Sequence, residues 1–457
     1  MTSASPAAAA PAAPAAATAG GSSFPHNLSK QECRDLDTFI THHSAHSRPI
    51  ALVTSGGTAA DLEVHTVRSL ENFSTGLRGA LSVERLLAKG YAVIHLWRTG
   101  SAAPYARALA TAGMSGKERL WLPNQGLSVQ GFDRMLALNG DNQDDDPLDG
   151  LDDNDDPWLE DLVPSSGSNK SAGSRKKQPV VSSGVSLNRR LADSPNVLQA
   201  VRDLRRHRDQ LLTVPFRTVE EYLGRLEHCA RALQPCRSLV LLYLAAAVSD
   251  FYVPDDRKAT HKLSLDPING TMEVGNELVL RLYPVPKVLS ALRHEWAPQA
   301  FCVSFKLETD PAVLRKKAQK AVDQYGVHMV IGNILETRHQ TVWLLQAKDR
   351  AVEGPDDKAT ETMDWIEVSK PSHTGAVLED ALLDRVAQQH FLHIANEHPA
   401  VAQRTQELMN AKRRRLQQEL FWQRVYDGTV QVGGTLLGMA LTYTISLALR
   451  RKIVNGN

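Results

Sequence analysis

The stretch "PIALVTSGGT" (residues 49–58) decides the fold: an uninterrupted apolar run, two small hydroxyls, then paired glycines. A short continuous apolar run closed by glycine fits a strand buried on both faces, as in a parallel sheet, followed by a loop. Downstream, Leu77, Ala80, Leu81, Glu84, Leu86 and Leu87 recur at helical spacing across Thr75–Lys89, and Gly90 closes the pattern. "YAVIHLWRTG" (91–100) then reads as a second strand. Strand, glycine loop, helix, glycine stop and strand make a βαβ unit.

The same alternation continues outward. A helix is expected upstream over Gln31–His43. After residue 218 come helix 218–233, strand 238–247, helix 286–295, strand 300–307, helix 310–326, strands 328–333 and 341–347, and a helix over about 376–394. This order predicts an α/β fold: a doubly wound, mostly parallel, Rossmann-like sheet flanked by helices. Its ligands should gather at the carboxyl ends of the strands, near the switch point.

Three segments fall outside that pattern. Residues 1–24 are an Ala/Pro tail without the basic and apolar regions of an export signal, and are expected to be disordered. An insertion at about 138–190 is densely acidic, then rich in Ser, Gly and Lys, with too little apolar periodicity to offset the entropy of ordering it. The ligand-binding domain is therefore expected over 25–397, interrupted by this insertion. Residues 398–457 carry a basic amphipathic helix (411–426) and an uncharged twenty-residue run (430–449), with Gly434 and Gly438 at GxxxG spacing. That run is long enough to span a bilayer core of about 30 Å. A tail anchor in an intracellular membrane and a helix packed on protein both remain open for it.

A net charge of +1 hides this segregation, and no nucleic-acid partner is expected. Cys33, Cys229, Cys236 and Cys302 lack zinc spacing, so reduced thiols in a cytoplasmic protein are expected. His390 and His393 stand at i, i+3 without a further ligand, which points to a helix-surface role, and the metal ligands stay unknown.

The chemistry concentrates after the strands. Gly56 follows the first, and "ENFSTGLRG" (71–79) stands where the next helix begins. Ser74 or Thr75 would cap that helix. Gly79 in its first turn costs about 0.5–1 kcal/mol relative to Ala, a cost explained by a phosphate resting on Gly76 and Gly79. Asn72 can offer a carboxamide N–H to a developing oxyanion without adding charge. After strand 238–247, Ala246 and Ala247 leave room for a ligand and Asp250 can accept hydrogen bonds from it. Lys262 and Lys287 carry little weight alone, while Phe305 can face a base and Asn333 ends another strand.

The blocks "VTSGGT", "VRSLENFSTGLRG", "LAAAVSDFYVP", "SFKLETD" and "NILETR", in that order, resemble phosphopantothenate–cysteine ligase of the stand-alone eukaryotic type. The resemblance covers about 25–125 and 210–395. It implies ligation of 4'-phosphopantothenate to L-cysteine through an acyl nucleotidylate, in coenzyme A synthesis. It implies ATP with Mg²⁺, CTP being the nucleotide of bacterial relatives, and a homodimer. Carried over by motif, Gly56, Ser74, Gly76, Gly79, Phe305 and Asn333 would hold the nucleotide. Asn72 would stabilise the mixed anhydride, and Ala246, Ala247 and Asp250 would border the phosphopantothenate. Arg68 of a neighbouring subunit would reach its phosphate, with Lys262 and Lys287 as further anion contacts. Two other readings compete. A dinucleotide-dependent oxidoreductase would need GxGxxG and an acid ending the second strand, where this chain has "SGGT" and "WRTG". A non-catalytic nucleotide-binding protein, recruited to membranes by its C-terminus, would have no need of Asn72.

Overall fold

The computed structural model describes residues 26–107, 195–263, 280–346, 364–373 and 375–407, with scattered positions up to 418. The expected tail, the insertion and the 430–449 run lie outside the described residues. Those up to Glu397 belong to one compact unit; those from His398 on belong to a second, in which 399–407 are helical.

The first unit is built on eight strands, β1 (Ile50–Ser55), β2 (Ala92–Arg98), β3 (Leu211–Phe216), β4 (Val240–Leu244), β5 (Phe301–Glu308), β6 (Met329–Ile334), β7 (Thr341–Gln346) and β8 (Asp364–Ser369). They lie in the order β8-β7-β6-β5-β4-β1-β2-β3. All neighbours from β3 to β6 pair parallel, whereas β7 and β8 add an antiparallel edge. The parallel strands thus follow the 3-2-1-4-5-6 order of the dinucleotide-binding folds, whose order reverses between β1 and β4. β1 is buried at every position, as its apolar run requires.

The helices are α1 (Lys30–Ala45), α2 (Leu77–Ala88), α3 (Pro195–Arg206), α4 (Val219–Leu233), α5 (Pro311–Tyr325) and α6 (Leu378–Glu397). Capping boxes start α1 at Ser29 with Glu32 and α4 at Thr218 with Glu221, each satisfying two first-turn amides reciprocally. Against β1 and β2 lies α2, with α6 on α2; α4 packs against α1 and a π-helical turn, Leu292–Trp296.

Of the sheet strands and helices named above, three escaped the sequence: β3, β8 and α3. Both strands are sheet edges, and β3 is only partly buried and contains Pro215, which an edge tolerates and an interior strand does not. The expected strand 238–247 is shorter, because Ala245–Ala247 leave the ladder after Leu244. His390 is a second correction. It is buried, its Nδ1 lies 3.0 Å from the Tyr91 hydroxyl and its Nε2 2.9 Å from the Ser238 carbonyl. A carbonyl only accepts, so Nε2 carries the proton and a neutral ring satisfies both partners. His393 stays half-exposed on the helix surface, where it meets the Gln299 carbonyl at 2.9 Å, so the correction concerns His390 alone.

His95, in the middle of β2, is fully buried, and neither ring nitrogen has a hydrogen-bond partner among the described residues. Burial pushes both His95 and His390 down to about 3. Both are therefore neutral when folded, while the unfolded chain takes up their protons below its ordinary value of about 6.5. The stability they permit is present above pH 6.5 and is lost as pH falls toward 3. A leucine at 95 removes an unsatisfied polar group from an apolar site. His95→Leu is expected to leave Tm unchanged or higher at pH 7.5, and to reduce its fall between pH 7 and pH 5. A fall as steep as that of the parent chain in a thermal-denaturation series would refute this account.

Candidate functional site

Where the strand order reverses, the chains leaving β1 and β4 stay tied together. Ala247 N donates to Gly56 O at 2.8 Å and Thr58 N to Ala247 O at 3.1 Å. Ala246 N donates to Thr54 Oγ1 (3.1 Å), and Thr58 Oγ1 both donates to Ser249 Oγ (3.0 Å) and accepts from Ser249 N (2.9 Å). Asn72 rests on this seam: its backbone N–H donates to Thr58 O (3.3 Å) and its Nδ2 to Val248 O (3.0 Å). A carboxamide has two N–H groups. One fixes its plane against Val248, and the other remains to be offered to a ligand.

The segment then enters α2. This helix begins at Leu77, two residues later than expected, and its N-cap is Gly76 in the left-handed conformation, with no side-chain cap. Ser74 and Thr75 instead turn their hydroxyls to Gly76 N and Leu77 N, each at 3.4 Å. The first i→i−4 bond runs from Ala80 N to Gly76 O, so the amides of Leu77, Arg78 and Gly79 precede the helical ladder. Together with the dipole they make an anion-facing end. Gly79 has a simpler reason than a phosphate: a Cβ there would lie 2.4 Å from Ser55 Cβ and Oγ. The glycine is required by the close approach of α2 to β1.

Strand alternation sorts the other residues. Ser82 of α2 donates to the Tyr243 hydroxyl at 3.0 Å, so Tyr243 faces α2. In-register parallel neighbours share a face, and Tyr243 pairs with Val303. Phe305 lies two positions further along β5, its ring 5.0 Å from that of Tyr243. It pairs with Ile331, two before Asn333. Phe305 and Asn333 therefore share a sheet face with the start of α2. Asn333 is buried, and its Oδ1 has no hydrogen-bond partner among the described residues.

A cavity of about 600 Å³ is lined by Ala246, Asp250, Lys287, Lys306, Tyr222 and Phe305 among others, so Phe305 borders both it and the α2 layer. Asp250 and Lys287, separate candidates in the sequence, form a 3.1 Å ion pair at its exposed rim.

Arg68 sits apart, on a ribbon of Ala59–Asp61 paired with Ser69–Glu71. Its Nε donates to Glu63 Oε1 (2.9 Å) and its Nη2 to Leu263 O (2.6 Å). Burial alone would raise the Glu63 carboxyl, yet the amides of Arg68, Val67 and Leu263 with the Arg68 side chain hold it below its ordinary range. Lys262, exposed, is the neighbour of Leu263 on the same strap. Around them Phe73 is 97% exposed and Val67 61%, so this arm presents apolar surface to solvent.

Sequence reasoning missed Thr58, Ser249 and Arg98. The hydroxyl pair gives no sequence signal, since its partners are 191 residues apart. Arg98 had one: a lone cation ending an otherwise buried strand.

Residues 185–381 match the model of the DNA/pantothenate metabolism flavoprotein C-terminal domain. The chain is 32% identical over 362 residues to the phosphopantothenate–cysteine ligase of Homo sapiens, covering 79% of this chain and 92% of that one. It is 32% identical over 382 residues to the ligase CAB2 of Saccharomyces cerevisiae, covering 81% and 84%. A solved histidine-to-alanine variant of Cab2 superposes with a TM-score of 0.56 at 31% identity, covering 80% of this chain and 94% of that one. The same variant in complex with phosphopantothenate-cysteine gives a TM-score of 0.55 at 29% identity over the same shares. With that identity running through nearly the whole human protein, and with the same fold, the chain belongs to the phosphopantothenate–cysteine ligase family.

Proposed function

We propose that the chain joins 4'-phosphopantothenate to L-cysteine in coenzyme A synthesis, using ATP to activate the acid as an acyl-adenylate. The observation that carries this reading is the hold on Asn72, whose carboxamide plane is fixed by Val248 O at the seam between β1 and β4. The nucleotide lies on the α2 face, its phosphates toward Gly56, Ser74, Gly76 and Gly79 and its nucleoside toward Phe305 and Asn333. The pantothenate portion lies toward Ala246, Ala247, Asp250 and Lys287. A carboxylate oxygen of the acid attacks the α-phosphorus and pyrophosphate leaves. The amine of cysteine then attacks the acyl carbon, AMP departs with the bonding electron pair, and the ammonium proton is released as the amide forms.

The second N–H of Asn72 stabilises the charge that develops on the anhydride. Among the described residues no group of three His, Cys, Asp or Glu is arranged to hold a metal. Mg²⁺ would accompany the phosphate oxygens, as is usual for this ion. In the proposed dimer, Arg68 and Lys262 of one subunit reach the phosphate in the other; the exposed apolar arm around Phe73 supports such a partner.

The test supplies purified protein with phosphopantothenate, cysteine, Mg²⁺ and ATP or CTP. Pyrophosphate release with ATP, dependent on phosphopantothenate, is the expected result. No turnover with either nucleotide refutes the reading. We further infer a cytoplasmic location; removing 428–457 then distinguishes the two readings of 430–449, since an anchor predicts a shift from the membrane pellet to the soluble fraction and a helix packed on protein predicts unchanged fractionation.

A further inference from the structure

We infer that Arg98 is a positioning residue, which holds the Gly57 carbonyl and the Glu71 carboxylate together and so keeps Asn72 aimed. The inference rests on the ligation reading above. Arg98 ends β2, and its side chain is only 17% exposed. Its Nη1 donates to Gly57 O at 2.9 Å and its Nη2 to Glu71 Oε1 at 2.8 Å. Both acceptors belong to segments joined directly to Asn72. Glu71 is its chain neighbour, and Gly57 precedes Thr58, whose carbonyl accepts the Asn72 N–H.

The turn that follows extends the brace. Ser101 Oγ donates to Arg98 O (2.7 Å), and Ala102 N to Thr75 O (2.8 Å). The exit of β2 thus touches the glycine loop, the Asn72 segment and the lead-in to α2.

Two observations separate this role from plain scaffolding. The seam between β1 and β4 is already closed by Ala247, Thr58 and Ser249, so the loop does not need Arg98 to remain paired. Moreover, Arg98 Nε is buried with no hydrogen-bond partner among the described residues. Leaving a buried donor unsatisfied costs about 1–3 kcal/mol, a poor arrangement for stability alone. The geometry also calls for arginine in particular: a planar fork spans two separate acceptors, which the point charge of lysine does not. Each Nη donates to a protein acceptor next to Asn72, so Arg98 is placed to act through that residue.

The test is a double-mutant cycle on the full chain with Arg98→Met, Asn72→Ala and their combination. It measures phosphopantothenate-dependent pyrophosphate release, with ATP Kd determined separately by calorimetry. Misplacing a reacting group by about 1 Å can cost roughly 100-fold. Arg98→Met is therefore expected to lower kcat about 10- to 100-fold. ATP Kd should stay within about threefold, and the double variant should be no worse than Asn72→Ala by more than about threefold. Arg98→Lys should recover only part of the loss. If Arg98→Met does not fold, Arg98→Lys and Glu71→Gln enter the cycle in its place. Losses that multiply, or a tenfold weaker Kd, overturn the inference. A parent chain that releases no pyrophosphate instead overturns the ligation reading, and the inference with it.

Discussion

Asn72→Ala is expected to lose most phosphopantothenate-dependent turnover while still binding ATP. Removing a donor aimed at a developing oxyanion typically costs about 100- to 1,000-fold in kcat, or about 2.7–4 kcal/mol. The donor here is one half of a carboxamide whose other half is spent on Val248 O, so its direction is set before the substrate arrives. Truncation removes the donor and leaves the glycines and the α2 amides intact, so nucleotide affinity should move by less than about threefold. Rapid-quench measurement of the adenylate, alongside calorimetric ATP binding, separates the two effects. Turnover within a factor of a few of the parent chain would remove Asn72 from the chemistry.

Gly57→Ala should be at least as damaging, for a steric reason. A Cβ at this position would lie 2.1 Å from the Asn72 carbonyl oxygen and 3.1 Å from its carbonyl carbon. No side-chain rotation relieves a clash with backbone, so either the β1 loop or the Asn72 segment must move. Because Thr58 O accepts the Asn72 N–H, separating the two segments also stretches that hydrogen bond. A loss of about 100-fold or more in kcat/KM is expected, with weaker ATP binding as well, because the glycine loop shifts. Near-parental kinetics would mean that the two segments are not in the contact described.

The core of the fold was legible where burial is complete on both faces. β1 and β2 announce themselves because a strand enclosed by helices reads as a near-continuous apolar run, and α2 by its helical spacing of apolar residues. β3 and β8 did not: Pro215 interrupts the run of β3 and argues against a strand, and β8 mixes charged residues into its sequence, as sheet edges tolerate. The candidate residues were legible one by one from their places after strands, yet their grouping was not. That Asp250 meets Lys287, or that Phe305 and Asn333 share a face with α2, depends on register between segments far apart in sequence. Gly79 also has a packing reason that sequence hides, since a glycine demanded by Ser55 looks the same there as one demanded by a ligand. His390 was misread for a similar reason: two histidines at i, i+3 do not say which side of α6 is covered.

The division between strand and loop has an engineering consequence. In the proposed assignment the side chains that select the base, Phe305 and Asn333, stand on β5 and β6, whereas Ala246, Ala247, Asp250 and Lys287, which border the acid, come from segments outside these strands. Under that assignment, altering nucleotide preference calls for changes within the sheet, and accommodating pantothenate analogues calls for changes in the loops, with Phe305 touching both tasks because it also lines the cavity.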